Sequence, residues 1–333
     1  MGQVTSQDLG GQSGGVRVIA VVVTHNRRLL IAGCLAALRA QVVGPQRILV
    51  VDNASTDGTE AFLREAMREP GVPVDVLRLP RNQGGAGGFA AGMHAAMAAD
   101  ADWLWLMDDD CEPDADALAQ LLAAPAQAHL QGGAQLGFLA SRVLWRDGSQ
   151  HRMNAPGRMS RTRLAPAPQG LVAADYASFV SLLVSRGAVE ACGLPIAEFF
   201  IGSDDVEYTW RLTRAGFLGY EVADSRVRHL TEHNAGMTLW DLQVTPTDVD
   251  KWAIKTRNLV AVNRRRRWGW LREGMRLVLL DLVWRRRGMD SRLRRRLLKA
   301  AWEGLTWAYE PLIRRPGDSN EGEGVDAYSG HPA

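Results

Sequence analysis

Val18-Ile-Ala-Val-Val-Val-Thr-His-Asn26 decides the architecture. Six apolar, mostly β-branched residues run from Val18 to Val23 and then give way to polar ones. A strand with one wet face alternates apolar and polar residues. A short run without alternation is apolar on both faces and suits a strand buried in a parallel sheet. The pattern recurs at Arg47–Val51, Pro73–Leu79 and Trp103–Met107. Between these runs lie helical spacings over Arg27–Gln41, with Leu30, Cys34, Leu35 and Leu38 on one stripe, over Thr56–Met67, and over the alanine-rich Gly88–Ala99. Strands alternating with helices predict an α/β fold, a mainly parallel sheet with helices on both faces.

In such sheets ligands sit beyond the carboxyl ends of the strands. The polar residues gather there: Thr24-His25-Asn26, Asp52-Asn53-Ala54-Ser55, Arg81-Asn82-Gln83 and Asp108-Asp109-Asp110. Three adjacent carboxylates repel one another, and a divalent cation offsets this economically. Oxygen ligands suit Mg²⁺ or Mn²⁺ better than zinc. In extended chain Asp108 and Asp110 point the same way and can share an ion, with Asp109 turned elsewhere. The same residues also serve as a solvated turn capping a helix near Pro113. Asp52 ends a buried strand where a carboxylate can hold a nucleoside; an Asx turn before a helix cap is the other reading.

Arg81-Asn-Gln-Gly-Gly-Ala-Gly-Gly-Phe89 lets backbone approach a ligand closely, and amides at a helix start favour anions. It contains Gly-x-Gly-x-x-Ala from Gly85 to Ala90, a weak dinucleotide fingerprint placed after the third strand instead of the first. Phe199-Phe-Ile-Gly-Ser-Asp-Asp-Val-Glu207 sets Asp204, Asp205 and Glu207 beside an aromatic run, as first-turn dipole partners or as a general base. His229 and His233 have i, i+4 spacing but no zinc-protease motif.

Read in order, these elements resemble the family-2 glycosyltransferases of GT-A fold, over about Val18 to His233. The nearest subgroup contains bacterial galactofuranosyltransferases and rhamnosyltransferases. The resemblance rests on Val-Val-Thr-His-Asn at 22–26, Val-Val-Asp-Asn at 50–53, the glycine-rich 81–89, Trp-Leu-Met-Asp-Asp-Asp at 105–110 and Phe-Ile-Gly-Ser-Asp-Asp-Val-Glu at 200–207. Lys255-Thr-Arg257-Asn258 looks like the subgroup's later Arg-Asn element without its usual Tyr-Tyr. The resemblance implies roles. Thr24 and Asp52 would hold the nucleoside base, with Arg81 beside it. Gly84, Gly85 and Gly87 would lie near the ribose and diphosphate, and Asp109 would also belong to the donor site. Asp108, Asp110 and His229 would bind Mn²⁺ or Mg²⁺. Asp205 would be the base, with Asp204 as the fallback, and transfer would invert the anomeric carbon. Galactofuranose from a UDP donor is favoured over rhamnose from a dTDP donor. The acceptor would be a glycan or lipid-linked glycan of bacterial cell-wall or polysaccharide synthesis.

The 333 residues are 46% apolar and 23% charged, which excludes a mainly disordered chain. Cys34, Cys111 and Cys192 form no CxxC pair, so a disulfide framework and a zinc ribbon are not expected and a reducing compartment is. The net charge of +2 hides an asymmetry: 19 Lys and Arg against five Asp and Glu between Lys251 and Arg315, +14 there and −12 elsewhere. Five of the 11 tryptophans fall between Trp268 and Trp307. Arg and Trp along amphipathic helices suit an anionic bilayer surface. No nucleic-acid motif accompanies the patch, so nucleic acid is not expected as a partner. Neither a secretory signal nor an uncharged apolar run long enough for a spanning helix is seen. The expected organisation is a disordered lead-in over 1–15, a GT-A domain over 16–235, a basic, membrane-associating helical region over 236–315 and a disordered tail over 316–333. The expected location is cytoplasmic, peripheral at the inner face of the plasma membrane. A non-catalytic, membrane-docked nucleotide-binding scaffold and a nicotinamide-dependent oxidoreductase are the competing functions.

Overall fold

The structure, a computed structural model, describes residues 16–127, 135–157, 170–234, 248–266 and 268–309. The expected lead-in, the tail and the boundary at 235/236 lie outside the described residues.

Strand β1 (Val18–Thr24) leads through α1 (Arg28–Arg39) to β2 (Arg47–Asp52), then through α2 (Thr59–Ala66) to β3 (Val74–Arg78), and through α3 (Gly84–Ala98) to β4 (Trp103–Asp108). All three pairings among these strands are parallel, in the order β3-β2-β1-β4. Successive side chains of β1 feed two cores. Val18, Ala20 and Val22 pack with α1 and α2, and Ile19, Val21 and Val23 pack with α3. Burial on both faces is why the strand sequence shows no alternation.

Beyond β4 the sheet becomes mixed. The chain continues through β5 (Cys111–Pro113), α4 (Ala117–Gln127), β6 (Leu136–Leu144), β7 (Leu171–Ala173), β8 (Leu182–Ser185), α5 (Arg186–Cys192), α6 (Asp204–Arg214) and β9 (Leu218–His229). Strand β8 pairs antiparallel with both β4 and β6, β6 runs parallel to β9, and β9 pairs antiparallel with β5 and β7. The parallel expectation therefore holds for the first four strands and gives way to a mixed sheet beyond them. Strand β8 starts at Leu182, because Ser181 before it takes φ +54° and interrupts the extended backbone. The Ser181 hydroxyl joins a buried chain linking Trp105 Nε1 at 2.9 Å, Ser141 at 2.6 Å and, through Ser141, Ser225 at 2.7 Å.

Helix α3 starts at Gly84, four residues earlier than its spacing predicts, so most of the glycine stretch is helix. A Cβ at Gly88 would strike Val23, and one at Gly92 would lie 2.8 Å from Val51. These glycines let α3 lie close on the sheet.

The basic region forms α7 (Val249–Asn263), α8 (Gly269–Arg286) and α9 (Ser291–Thr306). Ala253, Leu280, Trp284, Leu297 and Ala300 make its own core. A second cluster ties it to the sheet domain: Ala261, Val262 and Tyr309 pack with Ala86, Phe199 and Trp210. No described helix is long and apolar enough to cross a membrane.

Candidate active site

The carboxyl ends of β1, β2 and β4 meet at one rim, because β1 sits between the other two in register. Thr24 pairs with Asp52, and Val23 pairs with Asp108. Here the polar residues interlock. Asp109 is buried and accepts from the Thr24 hydroxyl at 2.8 Å and from Arg27 at 3.1 Å. The same Arg27 nitrogen reaches Asp110 at 2.9 Å. Burial would lower the Arg27 pKa, but Asp109 and Asp110 outweigh this and hold the guanidinium charged.

Cys111 of β5 lies opposite His229 of β9, and this register sets the imidazole beside Asp110. His229 Nε2 is 2.9 Å from Asp110 Oδ1, and its Nδ1 is 2.9 Å from Asn154 Oδ1. With Asn154 Oδ1 accepting from Nδ1, the 2.9 Å approach of Nε2 to a carboxylate oxygen needs a proton or a cation between the two. Burial first, and then the His229 ring, push His151 down to about 4. His151 is therefore a neutral ring stacked 4.9 Å from His229.

Asp108 is half-buried at the end of β4. Burial raises its pKa well above the usual range, and so do the carboxylates of Asp110, Asp109 and Asp204. Burial would also raise Asp110, but His229 and Arg27 outweigh it and the group is lowered. Asp110 Oδ1 is buried and, despite the short approach of His229, has no aligned hydrogen bond. Crowded carboxylates, an orphaned buried oxygen and an imidazole nitrogen suit a divalent cation at Asp110 and His229; Asp108 adds its charge nearby but is not in the group whose ligand atoms lie within 4.8 Å of one another. Cys111 Sγ lies in the same cluster, within 4.8 Å of ligand atoms of Asp110 and His229. Burial and Asp110 keep it a protonated thiol, a poor partner for a hard cation.

Asp52 is fully buried. Its Oδ1 accepts from the Ser55 N–H at 2.9 Å, closing the Asx turn of the second sequence reading. Its Oδ2 stands 3.3 Å from Arg78 but makes no hydrogen bond. Arg81 is exposed on the loop after β3. Asn53 anchors the glycine stretch: its Oδ1 accepts from Gln83 N at 2.8 Å and its Nδ2 donates to Gly84 O at 2.8 Å. Gly84 is buried with φ +70°, and a Cβ there would overlap the Phe200 carbonyl. Gly87 is close to Gln83, whereas Gly85 opens onto free space. These glycines serve packing as well as any approach to a ligand.

The second acidic pair opens α6. Before it the chain makes a 3-10 turn at Ala197–Phe199, followed by left-handed backbone at Phe200 (φ +60°), Gly202 (φ +83°) and Ser203 (φ +64°). Such a conformation costs about 1–3 kcal/mol at each non-glycine residue and persists only where surroundings impose it. Burial raises the pKa of Asp204, and Asp205 adds to the shift. Burial also raises Asp205, opposed in part by its backbone hydrogen bonds and by Lys255. Asp204 is buried and within electrostatic reach of Asp108, while Asp205 is half-buried. The third acid of the stretch has a different place: Glu207 pairs with Arg211 at 2.9 Å, fully inside the fold.

The structure thus brings Thr24, Asp108, Asp109, Asp110, His229 and Asp204 to one rim, with Asp205 following in α6. Arg27, Arg78, Asn154 and Lys255 join them without having been singled out as site residues by the sequence. Arg78 had a signal, since it ends the third strand in register with Asp52. Asn154 had none, being 75 positions from the His229 it contacts.

Residues 19–179 match the family model described as "Glycosyl transferase family 2". Over 211 residues, 60% of this chain, the sequence is 36% identical to "Galactofuranosyltransferase GlfT1" of Mycolicibacterium smegmatis. The match spans 66% of that relative, just under two thirds of its length. Among solved structures, GalNAc-T7 with UDP, GalNAc and Mn²⁺ aligns with a TM-score of 0.53 at 16% identity, covering 74% of this chain and 47% of that one. The mannosyltransferase PcManGT of Pyrobaculum calidifontis, in complex with GDP-Man and Mn²⁺, aligns at 0.51 and 16%, covering 88% and 76%. At such identity the structures attest the GT-A fold alone. The family model, the galactofuranosyltransferase relative and the fold point the same way, and residues 19–179 of the chain match glycosyl transferase family 2.

Proposed function

We propose that this protein transfers a sugar, galactofuranose foremost, from a nucleotide-sugar donor to a hydroxyl of a glycan or lipid-linked glycan, with inversion. One observation carries the reading: a carboxylate pair with raised pKa, Asp204/Asp205, stands beside a crowded carboxylate cluster, Asp108–Asp110, with an imidazole on its far side. Asp108, Asp110 and His229 would hold Mn²⁺ or Mg²⁺, which supplies Lewis-acid stabilisation of a departing diphosphate. The likeness to a galactofuranosyltransferase supports the donor sugar, and the structures holding UDP or GDP-Man with Mn²⁺ support a nucleotide donor. The unbonded Oδ2 of Asp52 suits a base N–H, and the Arg78 guanidinium stands beside it. Thr24, Asp109 and the Gly84–Gly87 turn would line the donor, with Arg81 at its edge.

Asp205, the more open of the pair, takes the proton of the acceptor hydroxyl. That oxygen bonds to the anomeric carbon as the bond from carbon to the diphosphate oxygen breaks, and the electron pair leaves with the nucleoside diphosphate. General-base help of this kind contributes roughly 10²–10⁴-fold. Asp204, deeper and within electrostatic reach of Asp108, is the fallback base.

The basic helices support a site at an anionic membrane surface, peripheral at the inner face of the plasma membrane. Leu271, Met275, Val278, Leu279 and Leu282 form an exposed stripe on α8, with Val278 63% exposed, and Trp268 and Trp270 stand exposed at its start. Beside the stripe lies a cleft of about 430 Å³ whose lining includes Arg266, Arg272 and Arg276. Their shared counter-charge there is the buried Glu273. Apolar surface next to excess guanidinium suits an anionic lipid.

The test is nucleotide release by purified protein from UDP-galactofuranose, dTDP-rhamnose, UDP-glucose and UDP-GlcNAc. Each runs with Mn²⁺, Mg²⁺ or EDTA, with and without bacterial lipid extract. Metal-dependent turnover of UDP-galactofuranose, raised by lipid, is expected. A preference for dTDP-rhamnose would replace the donor. Full turnover by Asp205→Asn and Asp204→Asn alike would remove the acid pair from catalysis.

A further inference from the structure

The strained loop that presents the acid pair is gripped from the C-terminal helical region. Asn258 of α7 is fully buried. Its Nδ2 donates to the carbonyls of Phe199 at 2.7 Å, Gly202 at 2.9 Å and Ile201 at 3.1 Å. Its Oδ1 accepts from Arg257 Nη2 at 2.8 Å and Nε at 3.0 Å. Arg257 is itself fixed: Nη2 donates to Glu198 O at 2.7 Å, and the guanidinium lies 4.2 Å above the Trp307 ring. One amide side chain therefore ties down the carbonyls on both sides of Phe200 and the one before Ser203, the two non-glycine left-handed residues of the loop.

The far side of the loop is equally committed. Phe200 O accepts from Ala86 N at 3.2 Å and presses on Gly84. Phe199 packs between Trp307 and Tyr309, with ring centroids at 5.1 and 5.3 Å. A left-handed turn held by three carbonyl contacts keeps one conformation only while those contacts last. Released, it relaxes toward ordinary backbone and carries the start of α6 with it.

We infer that Asn258, braced by Arg257, is a positioning residue of the catalytic machinery: it holds the Phe199–Ser203 turn so that Asp204 stands toward Asp108 with Asp205 next to it at the start of α6. Helix α7 is on this view part of the active site as well as the first helix of the basic region. The inference rests on the proposed transferase reading only for its kinetic consequence.

The test compares wild type, Asn258→Ala and the milder Arg257→Gln as full-length proteins. Hydrogen exchange reads the latch without any donor. Amides of residues 200–203 and of Ala86 are expected to exchange about tenfold faster in Asn258→Ala, the factor equal to one lost hydrogen bond of about 1.4 kcal/mol. Amides of β1 and β2 are expected to stay unchanged. Arg257→Gln gives a smaller change at the same amides and serves if Asn258→Ala does not fold. With a donor that turns over, kcat falls about 10²-fold, as for a misplaced catalytic group. UDP affinity by calorimetry stays within about twofold, because the base acts in the transition state and not on the bound nucleotide. Uniformly faster exchange with kcat falling only as the folded fraction, or no local change in either variant, overturns the inference. Absence of turnover in wild type would bear on the transferase reading and leave the exchange result to decide the latch.

Discussion

The two acidic clusters of the site use the same carboxylates in opposite circumstances. In the Asp108–Asp110 turn, Asp109 and Asp110 are met by Thr24, Arg27 and His229 at 2.8–3.1 Å. At the start of α6, Asp204 and Asp205 have backbone N–H groups and the partial help of Lys255, and burial wins. In the first cluster His229 and Arg27 keep Asp110 charged, while burial raises Asp109 and Asp108, a crowding that a cation would relieve. In the second, burial makes charge costly for both acids, as a group that takes up a proton needs.

The largest effect should come from removing the proton acceptor. Asp205→Asn is expected to lower kcat by about 10²–10⁴-fold with nucleotide affinity nearly kept. Asp204→Asn should cost less, and steady-state kinetics of both variants reads the difference. Equal losses would show that the pair shares the proton and that the half-buried position of Asp205 does not decide the base.

The next effect bears on the first cluster. Asn154 holds the proton-bearing side of His229, so Asn154→Ala frees the ring to turn and to exchange tautomers. Mn²⁺ affinity, measured by titration calorimetry, should fall about 10–100-fold. At saturating Mn²⁺, kcat should recover to within about threefold. Unchanged Mn²⁺ affinity would take His229 out of the ligand set.

The contrast also predicts the pH profile. The base works ionised. Burial raises its pKa, so activity is retained at neutral pH and lost as pH falls through the raised value. The acid limb of kcat should therefore lie clearly above about pH 3.9, the ordinary aspartate value. A limb at or below that value would mean that binding and closure undo the burial of the pair.

Legibility in the sequence followed the same divide. The parallel half was readable because each of its strands is buried on both faces, and its polar ends announce the rim on which Thr24, Asp52 and Asp108 stand. The left-handed turn at Phe200–Ser203 was not readable: two of its three left-handed residues are non-glycine, imposed by Asn258 some 55 positions later. The glycine stretch misled in part. Its glycines at 84, 88 and 92 answer to Phe200, Val23 and Val21, contacts that composition cannot distinguish from the approach of a ligand. The mixed sheet beyond β4 was hidden because strand direction leaves no trace in a strand as short as the four residues Leu182–Ser185.

The smallest predicted effect is the most diagnostic of how the second cluster is tuned. Lys255 lies along the Gly202 turn, where a Cβ on that glycine would come 2.9 Å from its Cγ. Its ammonium lowers the Asp205 pKa, and Asp205 and Asp204 in turn favour the charged lysine against burial and the nearby Lys251. Lys255→Gln removes a side-chain cation that opposes the burial of Asp205, and the acid limb should move to higher pH. The shift should be under about 1 unit, because burial remains the dominant cause and a half-buried pair is partly screened. It should shrink further in 0.5 M salt for wild type and variant alike, since the lost interaction is Coulombic. Lys251→Gln should leave the limb where it is, because Lys251 acts on Lys255, which is protonated throughout that pH range. A shift in Lys255→Gln without one in Lys251→Gln cannot arise from general loosening of α7, which would move both.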